Sequence, residues 1–578
     1  MWNASWTLSD DPAPPPYLRP MRAFADLIDR LTLTPSRNGK LTLMVDYFRA
    51  RPDPERGWAL AAITRDLDVP NVKANTVKTL ALERVDEILF RYSYDFVGDL
   101  AETVALVWPE RPTGEDAPEL PEVVDTLLTV SRAEAPRRVE DWLDALDGSG
   151  RYAMLKLVTG AMRIGVSARL AKQALAQMGG VDVNEIEELW HGLGAPYEEL
   201  FAWLEGSAPK PANAALAPFR PVMLATPAED GATDAIDLAD YAAEWKWDGI
   251  RVQATSEGGV RRLYSRTGDD ISGAFPDVVD AMAFEGSVDG ELLVGRLAPG
   301  ADVTGGSHEI EVGTFSDLQQ RLNRKTVSEK VRQAHPAFVR LYDILQDGGE
   351  NTRPLPFRER RERLERFAKG LDPHRFDVSP LVEHGGWDHA KALRNDPPHP
   401  IIEGLMFKRW DSDYVPGRPR GPWLKWKRDP FLVDAVMLYA QRGHGKRSSF
   451  YSDYTFGVWD EEERLIPVGK AYSGFTDAEL RKLDKYVRDH TVERFGPVRS
   501  VRADKESGLV LEIAFEGLQK STRHKSGVAM RFPRVNRIRW DKPAAEADRI
   551  ETMRAMLALA EAGEHMGGAV RTGPRPSE

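Results

Sequence analysis

The chain has 578 residues, which at ~100–200 residues per domain allows roughly three to five domains. Hydrophobic residues make up 42% and charged residues 29%, which excludes a disordered chain and a fibre, and no run approaches ~18 consecutive apolar residues, which excludes a helix that spans a membrane. Cysteine is absent and the net charge is −12, which excludes disulfides and thiolate zinc sites, fits a reducing compartment and argues against a generic binder of polyanions.

Residues 1–20 include DPAPPPYLRP and show few periodic apolar positions. They read as a flexible leader with Met21 as an alternative start, not as a secretory signal, because no basic start precedes an apolar core. From 21 to 206, FADLIDRL, WALAAITRDL, VDEILFRY and EVVDTLLTV place apolar residues at three- and four-residue steps, which predicts an all-α domain. A Pro- and Ala-rich stretch follows, and 207–215 is the expected linker. Short β-like runs then take over: EWKWDGIRVQAT, VRRLYSR, GSVDGELLVG, AFVRLYDIL and EGLMFKRW. One helix, PFRERRERLERFAKGL, lies among them with its charges expected on an outer face. This predicts an α+β domain over 216–428.

Over 429–545, DAVMLYAQ, YTFGVWD, LIPVGKAY, GLVLEIAFEGLQ and RIRW read as strands. TDAELRKLDKYVRDHTV reads as a helix with Thr476 as its N-cap. A small barrel of five or so strands is expected. Residues 546–578 should form a final helix and a frayed tail, GGAVRTGPRPSE. Charge is uneven: over 401–545 Lys and Arg exceed Asp and Glu by about 8, leaving about −20 elsewhere. The stretch 519–542 holds eight Lys or Arg against the single Asp541. Interleaved Phe532, Val535, Ile538 and Trp540 make it a structured element with arginines on one side.

The chemistry begins at Lys246-Trp247-Asp248-Gly249-Ile250-Arg251. By itself this reads as a β-hairpin with Asp-Gly in its tight turn. It is followed in order by Tyr264-Ser265-Arg266, Asp289-Gly290-Glu291, Tyr342-Asp343, Glu403-Gly404-Leu405-Met406-Phe407-Lys408, Trp423-Leu424-Lys425-Trp426-Lys427 and Arg531-Phe532-Pro533-Arg534. This ordered set resembles the covalent nucleotidyltransferase superfamily of DNA ligases, RNA ligases and mRNA capping enzymes. It is most similar to the ATP-dependent DNA ligases of bacterial or archaeal type. The resemblance spans about 216–545. LKLVTGAMRIGVSARLAKQAL (155–175) and FADLIDRLTLTPSRNGKLTLMVDYF resemble the helical DNA-binding domain of the larger members.

The resemblance implies a multidomain fold: the all-α DNA-binding domain, an ATP-grasp-like α+β nucleotidyltransferase (adenylation) core and a C-terminal β-barrel OB-fold. It implies that Lys246 attacks the α-phosphate of ATP and keeps AMP as a phosphoramidate. A lysine amine is nucleophilic only when deprotonated. Lys425 and Lys427 share one face of a strand, so folded against Lys246 they would lower its pKa and bind phosphate. Arg251 and Arg266 would bind phosphate and ribose. Glu244 matches a position that helps recognise adenine, and Tyr342 one that stacks on the purine. Glu291 and Glu403 are expected at ribose and Mg²⁺, with Mn²⁺ as an alternative metal. Lys408 would touch phosphate, as would either Arg418 or Arg420. Arg531 and Arg534 resemble the last motif, which closes over the nucleotide and orients the β- and γ-phosphates. Thr159, Arg163 and Arg537 are the expected DNA contacts.

The implied reaction is the sealing of 5′-phosphate/3′-hydroxyl nicks in duplex DNA, in replication, repair or recombination. The implied protein is monomeric, in a bacterial or archaeal cytoplasm and associated with the nucleoid, with no membrane partner. An RNA ligase or capping guanylyltransferase would share most motifs, but the helical domain and the last motif argue against both. NAD⁺ is disfavoured as AMP donor, because NAD⁺-dependent ligases typically carry a cysteine zinc finger. A reading of a different class is a non-catalytic DNA-binding relic; the intact Lys246, Glu403, Lys425 and Lys427 count against it.

Overall fold

The computed structural model describes residues 21–109, 118–160, 162–212, 215–228, 236–303, 307–322, 324–442, 450–522 and 524–561. The leader expected at 1–20 and the tail expected at 567–578 lie outside the described residues. The chain divides into two compact units. One holds the helices of 21–186 and 193–211; the other holds 187–192 and the chain from 212 onward.

The first unit is helical throughout its described residues, beginning with Arg22–Leu33, Arg37–Ala50 and Glu55–Thr64. Its apolar periodicity buries Phe24, Ile28, Leu31, Phe48 and Leu60. Side-chain caps set several helix starts. Ser36 accepts from the Gly39 amide, Asp147 from Gly150 and Ser167 from Leu170. Each satisfies an amide that the helix itself leaves unpaired.

The second unit contains two sheets that build the site. A four-stranded sheet runs in the order Thr226–Pro227, Trp423–Lys427, Ile402–Arg409, Tyr241–Trp247. A seven-stranded sheet has Val260–Ser265, Ile250–Glu257, Gly286–Leu297, Ala337–Asp347 and Glu350–Asn351 in spatial order. Phe376–Val378 pairs in parallel with Ala337–Asp347. Helix Phe357–Ala368 is where the sequence places it, but its charges are not all outward. Arg360 and Arg361 are buried beside Phe357 and Leu364. Arg360 pairs with Asp343 at 2.8 Å, and the fork geometry of the guanidinium makes that burial tolerable.

The C-terminal β region, from Phe431–Arg442 to Arg534–Arg539, has nine strands among its described residues where five or so were expected. GLVLEIAFEGLQ breaks into Val510–Phe515 and Gly517–Lys520, which join different sheets. Phe431–Arg442 pairs with Tyr451–Trp459, Val498–Val501 and Val510–Phe515. Thr476 caps helix Asp477–Asp489 in a reciprocal capping box with Glu479, as its sequence indicates. Helix Ile550–Glu561 supplies Ile550, Met553 and Met556 to the core of this region. Among the described residues, no helix is long and apolar enough to cross a membrane.

Candidate nucleotide site

Strand alternation decides which side chains meet. Tyr241, Ala243, Leu405, Phe407, Leu424 and Trp426 pack together on one face of the four-stranded sheet. Their neighbours Glu244, Lys246, Met406, Lys408, Lys425 and Lys427 must therefore occupy the other face. Register aligns them in rows. Lys246 pairs with Gly404, which pairs with Lys427; Glu244 pairs with Met406, which pairs with Lys425. The middle of the first row has no side chain, so two lysines flank a glycine.

That glycine is obligatory. Gly404 has φ +148°, and a Cβ there would meet the Trp426 carbonyl oxygen at 2.1 Å. The register slips between Ile402 and Gly404. Such a bulge re-aims the intervening side chain. Here it turns Glu403 onto the site, 2.5 Å from Lys246 Nζ and 2.6 Å from Lys427 Nζ.

The Asp-Gly pair does not make the hairpin that the hexapeptide reads as by itself. Tyr241–Trp247 belongs to one sheet and Ile250–Glu257 to the other. Asp248 and Gly249 carry the chain across the seam, so Lys246 sits where the two sheets meet. Gly249 is needed for close approach: a Cβ would meet the Leu292 carbonyl oxygen at 2.5 Å. Its amide donates to Glu291 at 3.2 Å.

A cleft of about 360 Å³ opens at this seam. Glu244 and Lys408 line its buried end, with the partly buried Tyr342 beside them. Lys246, Glu291 and Glu403 line its middle, and Arg266, Arg418 and Lys425 bring positive charge at more exposed positions. Arg251 is a wall residue held by Asp289 at 2.6 Å and by the Tyr414 hydroxyl at 2.9 Å. Its Nε is buried and unpartnered among the described residues. A buried donor without an acceptor fits a cleft built for an oxygen-rich ligand.

Several expected positions fall elsewhere. Arg418 lines the cleft and Arg420 does not. Lys427 stands beside Glu403 at the rim rather than in the lining. Lys408, expected at phosphate, is fully buried and held by Glu244 at 3.0 Å and the Tyr342 carbonyl at 2.8 Å. Arg531 ion-pairs with Asp248, with one contact at 3.2 Å, and stacks over Phe315 at 4.3 Å. Arg534 pairs with Glu516 at 2.9 Å. Neither arginine lines the cleft. Thr159 ends helix Gly148–Thr159 and donates to the Leu155 carbonyl. Arg163 and Arg537 are exposed, Arg163 at φ +43°.

The electrostatics correct one expectation. Burial pulls the Lys246 ammonium down, but Glu403, Glu291 and Asp248 outweigh it and hold its pKa above the ordinary value. Two other cleft lysines are depressed: Lys408 by burial, and Lys425 by burial and then by Lys427, Lys246, Arg418 and Arg266. Like-charge repulsion is therefore felt at Lys425, while the carboxylates around Lys246 set its pKa. Burial pushes Glu291 up to about 7, opposed by Lys246 and reinforced by Glu403.

The sequence reading did not assign Met406, Arg340, Ser379 or Trp247, all of which line the cleft. Met406 was legible, since it shares a face with Lys408 two positions on. Arg340 and Ser379 come from segments whose register only the folded sheet reveals.

A model of the ATP dependent DNA ligase domain matches residues 222–427, and one of the ATP dependent DNA ligase C terminal region matches 447–542. A relative described as a probable DNA ligase, from Koribacter versatilis, is 31% identical over 92% of this chain and 95% of its own. The chain belongs to the ATP-dependent DNA ligase family. DNA ligase 1 of Korarchaeum cryptofilum is 29% identical over 92% of this chain and 97% of its own. A solved structure titled Pmar-Lig_Pre. matches 90% of this chain and 99% of its own with a TM-score of 0.53 at 15% identity, a likeness of fold. In this ligase-family chain the cleft lies wholly in the first matched region, and Arg531 and Arg534 in the second.

Proposed function

We propose that the protein seals nicks in duplex DNA with ATP, using Lys246 as the nucleophile. The observation that carries this reading is Lys246 at the seam, ion-paired with Glu403 in a cleft that Glu291, Arg266, Arg418 and Lys425 also line. Lys246 Nζ loses a proton and forms a bond to the α-phosphorus of ATP; the bond to the bridging oxygen breaks and pyrophosphate leaves. The 5′-phosphate of the nick then attacks the same phosphorus, the P–N bond breaks and the lysine regains its proton. Finally the 3′-hydroxyl attacks the 5′-phosphorus, a phosphodiester forms and AMP leaves.

Each residue has a part. Arg266, Arg418 and Lys425 would bind phosphate as fixed positive charge, which stabilises charge without reorganising. Tyr342 would stack on the base and Glu244 would accept from its amino group. Arg251 would offer its free Nε. Glu291 and Glu403 would hold Mg²⁺ with several waters, and the ion would neutralise phosphate charge. Among the described residues no cluster of three or more metal-binding side chains occurs, which suits an ion bound partly by water and substrate. Arg531 and Arg534 would reach the β- and γ-phosphates after leaving Asp248 and Glu516. The reading takes 21–206 as a DNA-binding domain, 216–428 as the adenylation domain and 429–545 as an OB-type barrel. It takes the protein to act as a monomer in the cytoplasm, on nucleoid DNA, with Thr159, Arg163 and Arg537 at the duplex.

The test is self-adenylation with labelled ATP, GTP or NAD⁺ and Mg²⁺, wild type beside Lys246→Ala, followed by a chase with nicked DNA. Label from ATP alone, absent in Lys246→Ala and discharged as the nick closes, is the expected result. Transfer from GTP, or no label in folded protein free of bound AMP, overturns it.

A further inference from the structure

Glu244 is buried, at 2% exposure, and both of its oxygens are engaged. Lys408 Nζ lies 3.0 Å from Oε2, and Arg361 Nη1 lies 3.3 Å from Oε1. Arg361 is on helix Phe357–Ala368, belongs to no sheet and does not line the cleft. The same Nη1 donates to the Ser379 carbonyl at 2.8 Å, and Nε donates to Glu365 at 2.7 Å. Ser379 lines the cleft from the segment after Phe376–Val378, in the seven-stranded sheet, whereas Glu244 lines it from the four-stranded sheet. One guanidinium thus ties together two walls of the cleft's buried end.

We propose that Arg361 is a positioning residue that fixes the plane of the Glu244 carboxylate and so sets the discrimination of ATP from 6-oxopurine nucleotides. The proposal rests on the reading of Glu244 as the base-facing acceptor. A carboxylate accepts from the 6-amino group of adenine but is repelled by the 6-carbonyl of a 6-oxopurine. That contrast needs a fixed carboxylate. With Lys408 alone, Glu244 could turn about its single remaining anchor; with Arg361 it has two. A planar five-donor fork can hold a carboxylate and a carbonyl together, which a lysine ammonium does less well. Arg361 therefore acts on the base without touching it.

The test compares self-adenylation by ATP and by ITP in wild type, Arg361→Met, Arg361→Lys and Glu244→Gln, with folding checked by circular dichroism. Arg361→Met is expected to raise KM for ATP about tenfold, the size of one lost charge-assisted hydrogen bond, with kcat little changed. Its ATP-to-ITP preference should fall by a similar factor, and Arg361→Lys should restore part of it. Loss of packing alone would lower both rates without moving their ratio. An unchanged ratio in Arg361→Met, with the ratio lost in Glu244→Gln, overturns the clamp and leaves the base reading standing. An unchanged ratio in Glu244→Gln overturns both. If Arg361→Met does not fold, Arg361→Lys decides: a raised KM for ATP with part of the ATP-to-ITP preference lost supports the clamp, and an unchanged KM and ratio overturns it.

Discussion

His399 stands in the turn that feeds the Glu403 strand, and its ring nitrogen Nδ1 accepts from the Ile401 amide at 3.2 Å. That bond requires a neutral ring, and burial lowers the pKa of His399 from its ordinary value of 6.5. The folded protein thus binds this proton more weakly than the unfolded chain. The stability it contributes is complete above pH 6.5 and is lost as pH falls through the folded-state value. A thermal scan should show the wild type losing more midpoint temperature on acidification than His399→Gln, with the two converging above neutrality. No sequence pattern marks this histidine, because its role depends on burial. Gly404 is the opposite case. The sequence places it inside Glu-Gly-Leu-Met-Phe-Lys, yet the reason for it, a carbonyl where a Cβ would lie, depends on a strand nearly twenty residues further on. Lys246, Glu291 and Lys425 were legible because motif and alternation agree. The pKa of Lys246 was not, since the bulge that delivers Glu403 leaves no trace in the pattern.

Helix Phe357–Ala368 illustrates why elements are easier to find than to orient. Its buried positions are 357, 360, 361, 364 and 368, the spacing of one helical face. Two of the five are arginines, so a reading by hydrophobicity turns the face outward. Arg360 sits fully buried on Asp343 and also donates to the Ser412 carbonyl at 2.9 Å. Removing one member of such a pair strands a charge, at a cost of about 3–5 kcal/mol. Arg360→Met should therefore destabilise strongly in urea unfolding. Adding Asp343→Leu should recover a large part of that loss, because neither charge then remains. A double variant no better than the single one would refute the charge account and assign the cost to packing. The strands of the site were found from composition and turns. Their division between two sheets was not, since Asp248-Gly249 is equally good chemistry for a hairpin.

At the scale of the molecule, charge is partitioned rather than balanced. A chain of net −12 carries its excess of Lys and Arg over 401–545, and Arg537 stands exposed on strand Arg534–Arg539. Nicked-duplex affinity should fall steeply with salt, log K declining linearly with log salt. Arg537→Ala should reduce the slope by about 1 if it neutralises one phosphate, while self-adenylation stays at the wild-type rate. An unchanged slope in a titration from low to physiological salt would remove Arg537 from the interface. The order of the motifs made the family legible across more than half of the chain. The path of the C-terminal strands was not, because one long strand, Phe431–Arg442, changes partners along its length.

The two-residue passage at Asp248-Gly249 has a bearing on how this chain can vary. Side chains alternate with period two, so one added residue reverses which face each occupies. Between Trp247 and Ile250 there is no loop to absorb such a change. Lys246 on one side and Arg251 on the other are locked into two separate ladders. Surface connections tolerate insertions and deletions, but a passage this short between two ladders does not. One residue added or removed here would pull Lys246 or Arg251 out of its ladder, so the two stay five positions apart.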